Sequence, residues 1–560
     1  MKILAQNVFI VISKHRAVSK FKGVSMLVGY VSDERYIALE NVLLEFEKEG
    51  DMQSVEARSR ATGSVHADVE PGPYRVTLRK DGFGPKSVHM VVDEKQPYQF
   101  RLLSNRILGY MWPKWVRSGE KSEFRAHSVE PYRLDLYRYG WEKEHIRTLG
   151  WFDEHGPIAT MQISPDGDYT QTGIEWNKRG YSNNPNHTQF VIAPERSGLY
   201  YLHAKTESGE FFSFPWIVAP SKPNSDVAVL ASNINWNAYN NFGGRSNYIH
   251  PAQMPPRPTV NARLELARYT NADNHTEFNS EEYAPLSFDR PEPLNHIPES
   301  TKITDPIEGR LPCHVCPAEW RLLGWLEREN FKYDLYAETQ FHTNLLNLDH
   351  YKVLIISTHP EYWSHKMYFT LKKWVFERGG KLMYLGGNGL NCDVDFLDEF
   401  TVTYRNGSFG AGWMGELVKM GKESRFDLYH ESEANLLGVR CTEEGLMTAA
   451  PYKALDTSHW VFEGTGLRNG DTFGEKCLHM RCWGGASGHE TDKMSPSSPK
   501  NCKLLAKGLN PGNGGAEMVH HQTASGGEVF SAGSISYPSS LPVDENISRI
   551  TRNVLNRFLQ

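Results

Sequence analysis

The sequence predicts a multidomain β and α/β chain: two N-terminal β-sandwich modules, residues 1–104 and 105–222, then a doubly wound α/β domain over residues 223–560. Three observations carry this. At 560 residues the chain is too long for one hydrophobic core. Its first 220 residues read as short strands separated by turn residues every 8–12 positions. From Asp226 the pattern changes to alternating strands and helices, most clearly in the stretch Tyr351 to Gly389.

Taken in order, Met1 to Ser13 alternates like a strand and lacks a small-residue cleavage site, so it reads as structure. Gly29–Val31, Val42–Phe46, Val65–Val69 and Tyr74–Leu78 are short strands, with turns at Pro71–Pro73 and Asp81–Gly82. The segment EPGPYRVTLRKDGF resembles the prealbumin-like modules of carboxypeptidase regulatory domains, whose role is packing or interaction. The second unit holds Phe124–Ser128, Tyr132–Tyr137, Ser197–Leu202 and Phe211–Val218, which suits an immunoglobulin-like sandwich. Pro220 to Pro223 marks the boundary.

In the third domain Val227–Leu230 is a buried strand, followed by a long polar excursion over about 250–316. Trp320–Glu329 is helical and Tyr333–Tyr336 is the next strand. Val353–Ile356 is an unbroken apolar run, as in a strand covered on both faces. Ser364 caps a helix in which Met367, Leu371, Trp374 and Val375 share a face, Gly379-Gly380 ends it, and Lys381–Leu385 begins another strand. Beyond Gly389 the chain is irregular, with β-like pieces such as Trp460–Glu463. It closes on the strand Glu528–Ile535 and a helix with Ile547, Ile550, Val554 and Phe558 on one face.

The net charge of −6 and the lack of a basic block argue against nucleic acid, and no apolar run reaches the roughly 20 residues a membrane span requires. Seven cysteines, an odd number, suit a reducing compartment, so cytoplasm is the expectation. Cys313-His314-Val315-Cys316 with Cys477 and Cys482 could form a four-thiolate zinc site. No G-x-S-x-G, Walker A or G-x-G-x-x-G is present, which argues against a serine hydrolase and nucleotide chemistry. The GGNG turn at 386–389 could be an anion nest, an oxyanion hole or a plain turn.

Ligands and catalysts in open α/β sheets sit beyond the carboxyl ends of strands. Five polar clusters qualify: Tyr239 with its asparagines; His359, Glu361 and Tyr362; Asn388; Tyr429 to Glu433; and His489-Glu490. The first three meet if their strands are neighbours. His, Glu and Tyr are ligands for a hard cation, and two tyrosinates with a carboxylate suit Fe(III), since only a strongly charged ion holds a phenol ionised near neutral pH. Each of these side chains could equally be a packed, hydrogen-bonded amphipath or a loop cap.

The segments NWNAYNNFGGRSNY (235–248), STHPEYWS (357–364), GGKLMYLGGNG (379–389), WVFEG (460–464), GGASGHETDK (484–493) and SAGSISY with ISRITRNVLNRF (531–558) resemble, in the same order, the N,N-dimethylformamidase large (beta) subunit family. The resemblance implies a glutamine-amidotransferase-like sheet, hydrolysis of a small amide to amine and carboxylate, and a mononuclear iron held by two tyrosines and a carboxylate with a histidine close by. Carried over, Tyr362 matches a ligand tyrosine and Tyr239 is the candidate for the second, whereas Trp320 and Arg321 stand where chain order would place it. The carboxylate is Glu433 or Glu431 with His430 as the nearby base, and Glu490 competes; Glu361, His359 and Asn388 complete the catalytic candidates. The resemblance further implies a homo-oligomer and a small partner subunit. Two other readings are a carbohydrate-related or other hydrolase using Glu361, Glu490 and Asn388 without iron, and a non-catalytic binding module.

Overall fold

The computed structural model describes residues 25–51, 53–153, 164–176, 189–250, 252–260, 283–407, 413–480 and 484–560. The strand expected near the N-terminus and Cys482 lie outside them. The chain is multidomain and β-rich, and it divides into two compact units: residues 1–104 with 257–261, and the remainder.

The smaller unit pairs a three-stranded sheet, centred on Met26–Ser32, with a four-stranded sheet holding Leu43–Lys48 and Gly72–Arg79. Alternating residues Leu44, Phe46, Val76 and Leu78 face its core and are fully buried, the period-two pattern of a half-covered sheet.

The larger unit begins with a three-stranded and a five-stranded sheet, the latter running through Tyr132–Tyr139, Gly198–Thr206 and Phe211–Ala219. A nine-stranded sheet follows. Its strands in chain order are β1 (Val227–Ala231), β2 (Asp334–Ala337), β3 (Val353–Thr358), β4 (Lys381–Gly386), β5 (Tyr452–Ala454), β6 (Thr472–Phe473), β7 (Lys503–Gly508), β8 (Glu517–Gln522) and β9 (Glu528–Ser531). Their spatial order is β2-β1-β3-β4-β9-β8-β7-β5-β6. The first five run parallel, with Val229 opposite Ile355 and Ile355 opposite Met383. From β9 onward the sheet continues antiparallel. Every residue of β1 and β3 is buried, which explains their unbroken apolar character.

Strand order sets which connections meet at the carboxyl edge of the sheet. The chain leaves β1 for the edge strand β2 and returns to the other side of β1 as β3, so the connections after β1 and β3 diverge from adjacent carboxyl ends. Four helices matter here: α1 (Asn233–Tyr239), α2 (Cys316–Arg328), α3 (His365–Arg378) and α4 (Glu545–Leu559). Ser364 Oγ accepts from the Met367 amide, and Gly379 ends α3 with φ +76°, as the local sequence requires. Trp460–Phe462, expected as β-like, is one 3-10 turn, with the His459 imidazole accepting from the Val461 amide. Three residues cannot distinguish the two periods.

Helix α1 has no side-chain cap of its own. Instead Glu319 accepts from the Ser232 amide at 3.2 Å and from Trp236 Nε1 at 2.8 Å, while Glu338 accepts from the Ile234 amide at 3.4 Å and from Trp363 Nε1 at 2.7 Å. Burial pushes Glu319 up to about 8 and raises Glu338 well above the usual carboxylate range. Both are therefore neutral acids in the folded chain at moderate pH. Unfolding frees Glu319 to ionise near its ordinary value of 4.5, so the folded state binds more protons between that value and about 8. Its contribution is complete below the lower value and is lost as pH rises through the upper one, at up to about 1.4 kcal/mol per pH unit. Urea melts at several pH values should show this decline, and Glu319→Gln should flatten it. An unchanged slope in the variant would assign the decline to another group.

Candidate active site

The carboxyl ends of β1, β3 and β4 bring a set of polar side chains together. Tyr239 ends α1, Tyr248 follows in the same connection, and His359, Glu361 and Tyr362 come directly after β3. Tyr248 Oη lies 2.8 Å from Tyr239 Oη, 2.9 Å from Glu361 Oε2 and 2.5 Å from Tyr362 Oη. Tyr239 Oη lies 3.4 Å from the same carboxylate oxygen. Two phenols therefore reach one carboxylate, and a third joins them through Tyr248. Tyr239, Tyr362 and Glu361 are buried, and Tyr248 is half-buried.

The other oxygen of Glu361 accepts from Arg425 at 2.7 Å, and that guanidinium also donates to Asn406 Oδ1 and Asn391 Oδ1. Burial opposes the charge on Arg425, but Glu361 more than offsets it and raises the guanidinium well above its usual range. Burial, reinforced by Glu361, likewise raises all three phenols well above the usual tyrosine value. Without a cation they stay protonated.

On the other side, His359 Nε2 lies 3.3 Å from Glu361 Oε2 and 3.2 Å from Glu490 Oε2. Burial disfavours a charged His359, yet Glu490 and Glu361 outweigh it and raise its pKa. Burial would raise Glu490, but the His359 charge holds it well below the carboxylate range. The two form an enclosed ion pair. Asn388 Nδ2 donates to Glu490 Oε2 at 2.8 Å, and Asn388 Oδ1 is buried without a hydrogen-bond partner.

The backbone around this cluster is strained. Thr358, Asn388, Leu390 and His489 adopt φ of +62°, +50°, +57° and +69°. Such values are disfavoured for residues with a Cβ, most of all for β-branched Thr358, and they persist where surrounding structure imposes them. Gly387 is glycine for space: a Cβ there would meet Glu490 O at 2.5 Å and Ile535 N at 2.7 Å. The GGNG turn is not an open anion nest. Its Gly387, Asn388 and Gly389 amides donate to Thr358 O, Asp492 Oδ1 and Tyr384 Oη. Burial pushes Asp492 up to about 6.

Of the residues singled out from sequence, Tyr239, His359, Glu361, Tyr362, Asn388 and Glu490 come together. Three others make no hydrogen bond to this group among the described residues. His430 Nε2 pairs with Asp393 Oδ2 at 2.8 Å, Glu431 is engaged by Tyr368 and Lys372 of α3, and Glu433 sits at the start of the short helix Ala434–Leu437. Burial pushes Glu433 up to about 8. The four-thiolate arrangement does not form among the described residues. Cys313 faces Ile307 O and Gly309 O, Cys316 faces Tyr201, and Cys477 faces Ser536 O. Sequence reading missed Tyr248, although it ends the quoted segment 235–248, and Arg425, for which no signal exists. A surface groove of about 1220 Å³ is lined by residues such as Arg138, Arg196 and Tyr333 and contains no member of the cluster.

Among the described residues, groups able to hold a metal are His314 with His479 and His489, His314 with His359 and Glu490, and His365 with Asp393 and His430. No described helix is long and apolar enough to cross a membrane. A family model described as N,N-dimethylformamidase beta subunit-like, C-terminal, matches residues 133–549. Two similar proteins carry the name N,N-dimethylformamidase beta subunit: one from Paracoccus aminophilus, 26% identical over 421 residues, and one from an Alcaligenes species, 24% identical over 421 residues. Each alignment covers 65% of this chain and 53% of the relative. The chain thus spans about half the length of the curated relatives it matches. Among solved structures, a DUF3823 family protein from Bacteroides ovatus is 9% identical over 33% of this chain and 97% of that one, with a TM-score of 0.13.

Proposed function

This chain belongs to the N,N-dimethylformamidase beta subunit-like family, and we propose that it hydrolyses a small amide, of the N,N-dialkylformamide kind, to an amine and a carboxylate. The observation that carries the reading is the pair of phenol oxygens, Tyr239 and Tyr248, on Glu361, with Tyr362 bonded to Tyr248, beside the His359–Glu490 pair. The parallel strand order β2-β1-β3-β4 supports a doubly wound, glutamine-amidotransferase-like sheet beneath it. The relatives are beta subunits by name, so the proposal includes a partner subunit, and a homo-oligomer with it.

The donor set fits a hard trivalent ion. Phenol and carboxylate oxygens are hard donors, and those of Tyr239, Tyr248 and Glu361 lie 2.8, 2.9 and 3.4 Å from one another. Tyr239, Tyr248 and Glu361 would hold such an ion, with Tyr362 hydrogen-bonded to Tyr248, and the proposal leaves out Glu431 and Glu433. Bound there, Fe(III) supplies a Lewis acid that polarises the amide carbonyl.

The remaining work falls to the chain. Half-buried Tyr248 marks the side from which substrate arrives, and the enclosed cluster excludes bulk water. Glu490, kept ionised by His359, takes a proton from the attacking water as its oxygen bonds to the carbonyl carbon. His359 gives its Nε2 proton to the departing nitrogen as the C–N bond breaks, and the proton held by Glu490 resets the pair. Asn388 orients Glu490.

The test is elemental analysis and a visible spectrum of the full chain, with amine release from N,N-dimethylformamide beside them. About one iron per chain is expected, with a phenolate-to-Fe(III) band that Tyr239→Phe weakens together with activity. Metal-free protein after iron-supplemented expression would sink the iron assignment.

A further inference from the structure

Beside the cysteines that the sequence offers as zinc ligands, three imidazoles come together. The residue inside the CxxC, His314, and the residue two beyond Cys477, His479, meet a third imidazole, His489. We propose that His314, His479 and His489 form a second metal site, for a divalent transition cation of the zinc class, separate from the tyrosine–carboxylate cluster.

All three side chains are fully buried, and one ring nitrogen from each lies within 4.8 Å of the other two. His314 Nε2 and His489 Nε2 are 2.8 Å apart, and the ring centroids of His479 and His489 are 5.2 Å apart. The three rings supply imidazole nitrogens, the commonest protein donors to such ions. An all-imidazole set suits zinc, copper, nickel or cobalt and not the oxygen-seeking magnesium or calcium.

The scaffold holds the three in place from separate segments. His314 closes the turn Leu311–His314 ahead of α2. The Ile307 amide donates to Leu478 O at 2.7 Å, and Ile307 bridges His479 in a parallel register. The His489 amide donates to Thr448 O, its carbonyl accepts from the Met447 amide, and its backbone is left-handed at φ +69°. Strained backbone and three converging imidazoles at one point are the marks of a built site.

His314 Nδ1 lies 3.0 Å from His359 Nδ1, so the three imidazoles adjoin the His359–Glu490 pair while standing outside the ring of oxygens.

The experiment uses the full chain, analysed as purified and after chelation and reloading with Zn2+ alone. One zinc-class ion per chain is expected, present in Tyr239→Phe and bound at least about a hundredfold more weakly by His479→Gln. X-ray absorption at the zinc edge of the wild-type chain should count three imidazole ligands. No zinc uptake by the wild type, zinc that disappears in Tyr239→Phe, unchanged binding by His479→Gln, or fewer than three imidazoles overturns the proposal. Should His479→Gln not fold, the wild-type ligand count decides alone. Because zinc is read independently of iron, failure of the amide-hydrolysis reading leaves this result standing.

Discussion

Glu361→Gln is expected to lower kcat/KM for the proposed amide hydrolysis by about a thousandfold or more, roughly 4 kcal/mol of transition-state stabilisation, and to abolish binding at the proposed iron site. The carboxylate sits where three demands meet: hydrogen bonds from the phenols, an ion pair with Arg425, and contact with His359. A glutamine keeps the shape and loses the charge, and it presents an amide nitrogen where an acceptor is required. The hard cation loses its one carboxylate ligand, and the guanidinium opposite is left uncompensated. Amine release and iron content, measured on the same sample, check this. Activity within tenfold of wild type, with iron retained, would remove Glu361 from the mechanism.

Arg425→Met should produce the largest loss of stability, about 3–5 kcal/mol, because breaking a buried pair strands the partner charge. Arg425 and Glu361 are both buried, and the guanidinium is spread over Glu361, Asn406 and Asn391. Three acceptors lose their donor at once. Denaturant melts of wild type, each single variant and the Arg425→Met/Glu361→Gln double variant give the coupling between them. The double variant should lose clearly less than the sum of the singles, since each single change already exposes the other partner to the full penalty. Strict additivity would mean that the two side chains do not act as a pair.

The legible parts of this chain were those whose signals are local. Val353–Ile356, Ser364 as a cap and Gly379 as a stop define a strand, a helix start and a helix end within a few residues each. Knowing only that β1, β3 and β4 are neighbours then puts Tyr239, His359, Glu361, Tyr362 and Asn388 at one edge. The rest depends on contacts that no spacing reveals. Arg425 reaches Glu361 across 64 residues, and Glu431 is drawn away by Tyr368 and Lys372 of α3. Both lie in the stretch beyond Gly389, where short pieces carry no sustained period. The carboxylate and base therefore could not be told apart there from an acid and a histidine serving other bonds. Tyr248 was in view as a motif residue, but its phenol becomes informative only when Glu361 is seen beneath it.

The position of β9 governs how the molecule can assemble. That strand pairs with β4 on one side and β8 on the other, and Lys381 and Glu528 are 147 residues apart. The sheet's middle is therefore closed by a late piece of polypeptide, after the antiparallel extension has been synthesised. Until β9 enters, β4 presents an open edge to its surroundings, a hazard for mispairing. The loop-closure cost falls on the step that also seats Ser534 and Ile535 against Gly387, next to Glu490. The contacts that close the sheet and those that brace Gly387 beside Glu490 are thus made by one segment of chain.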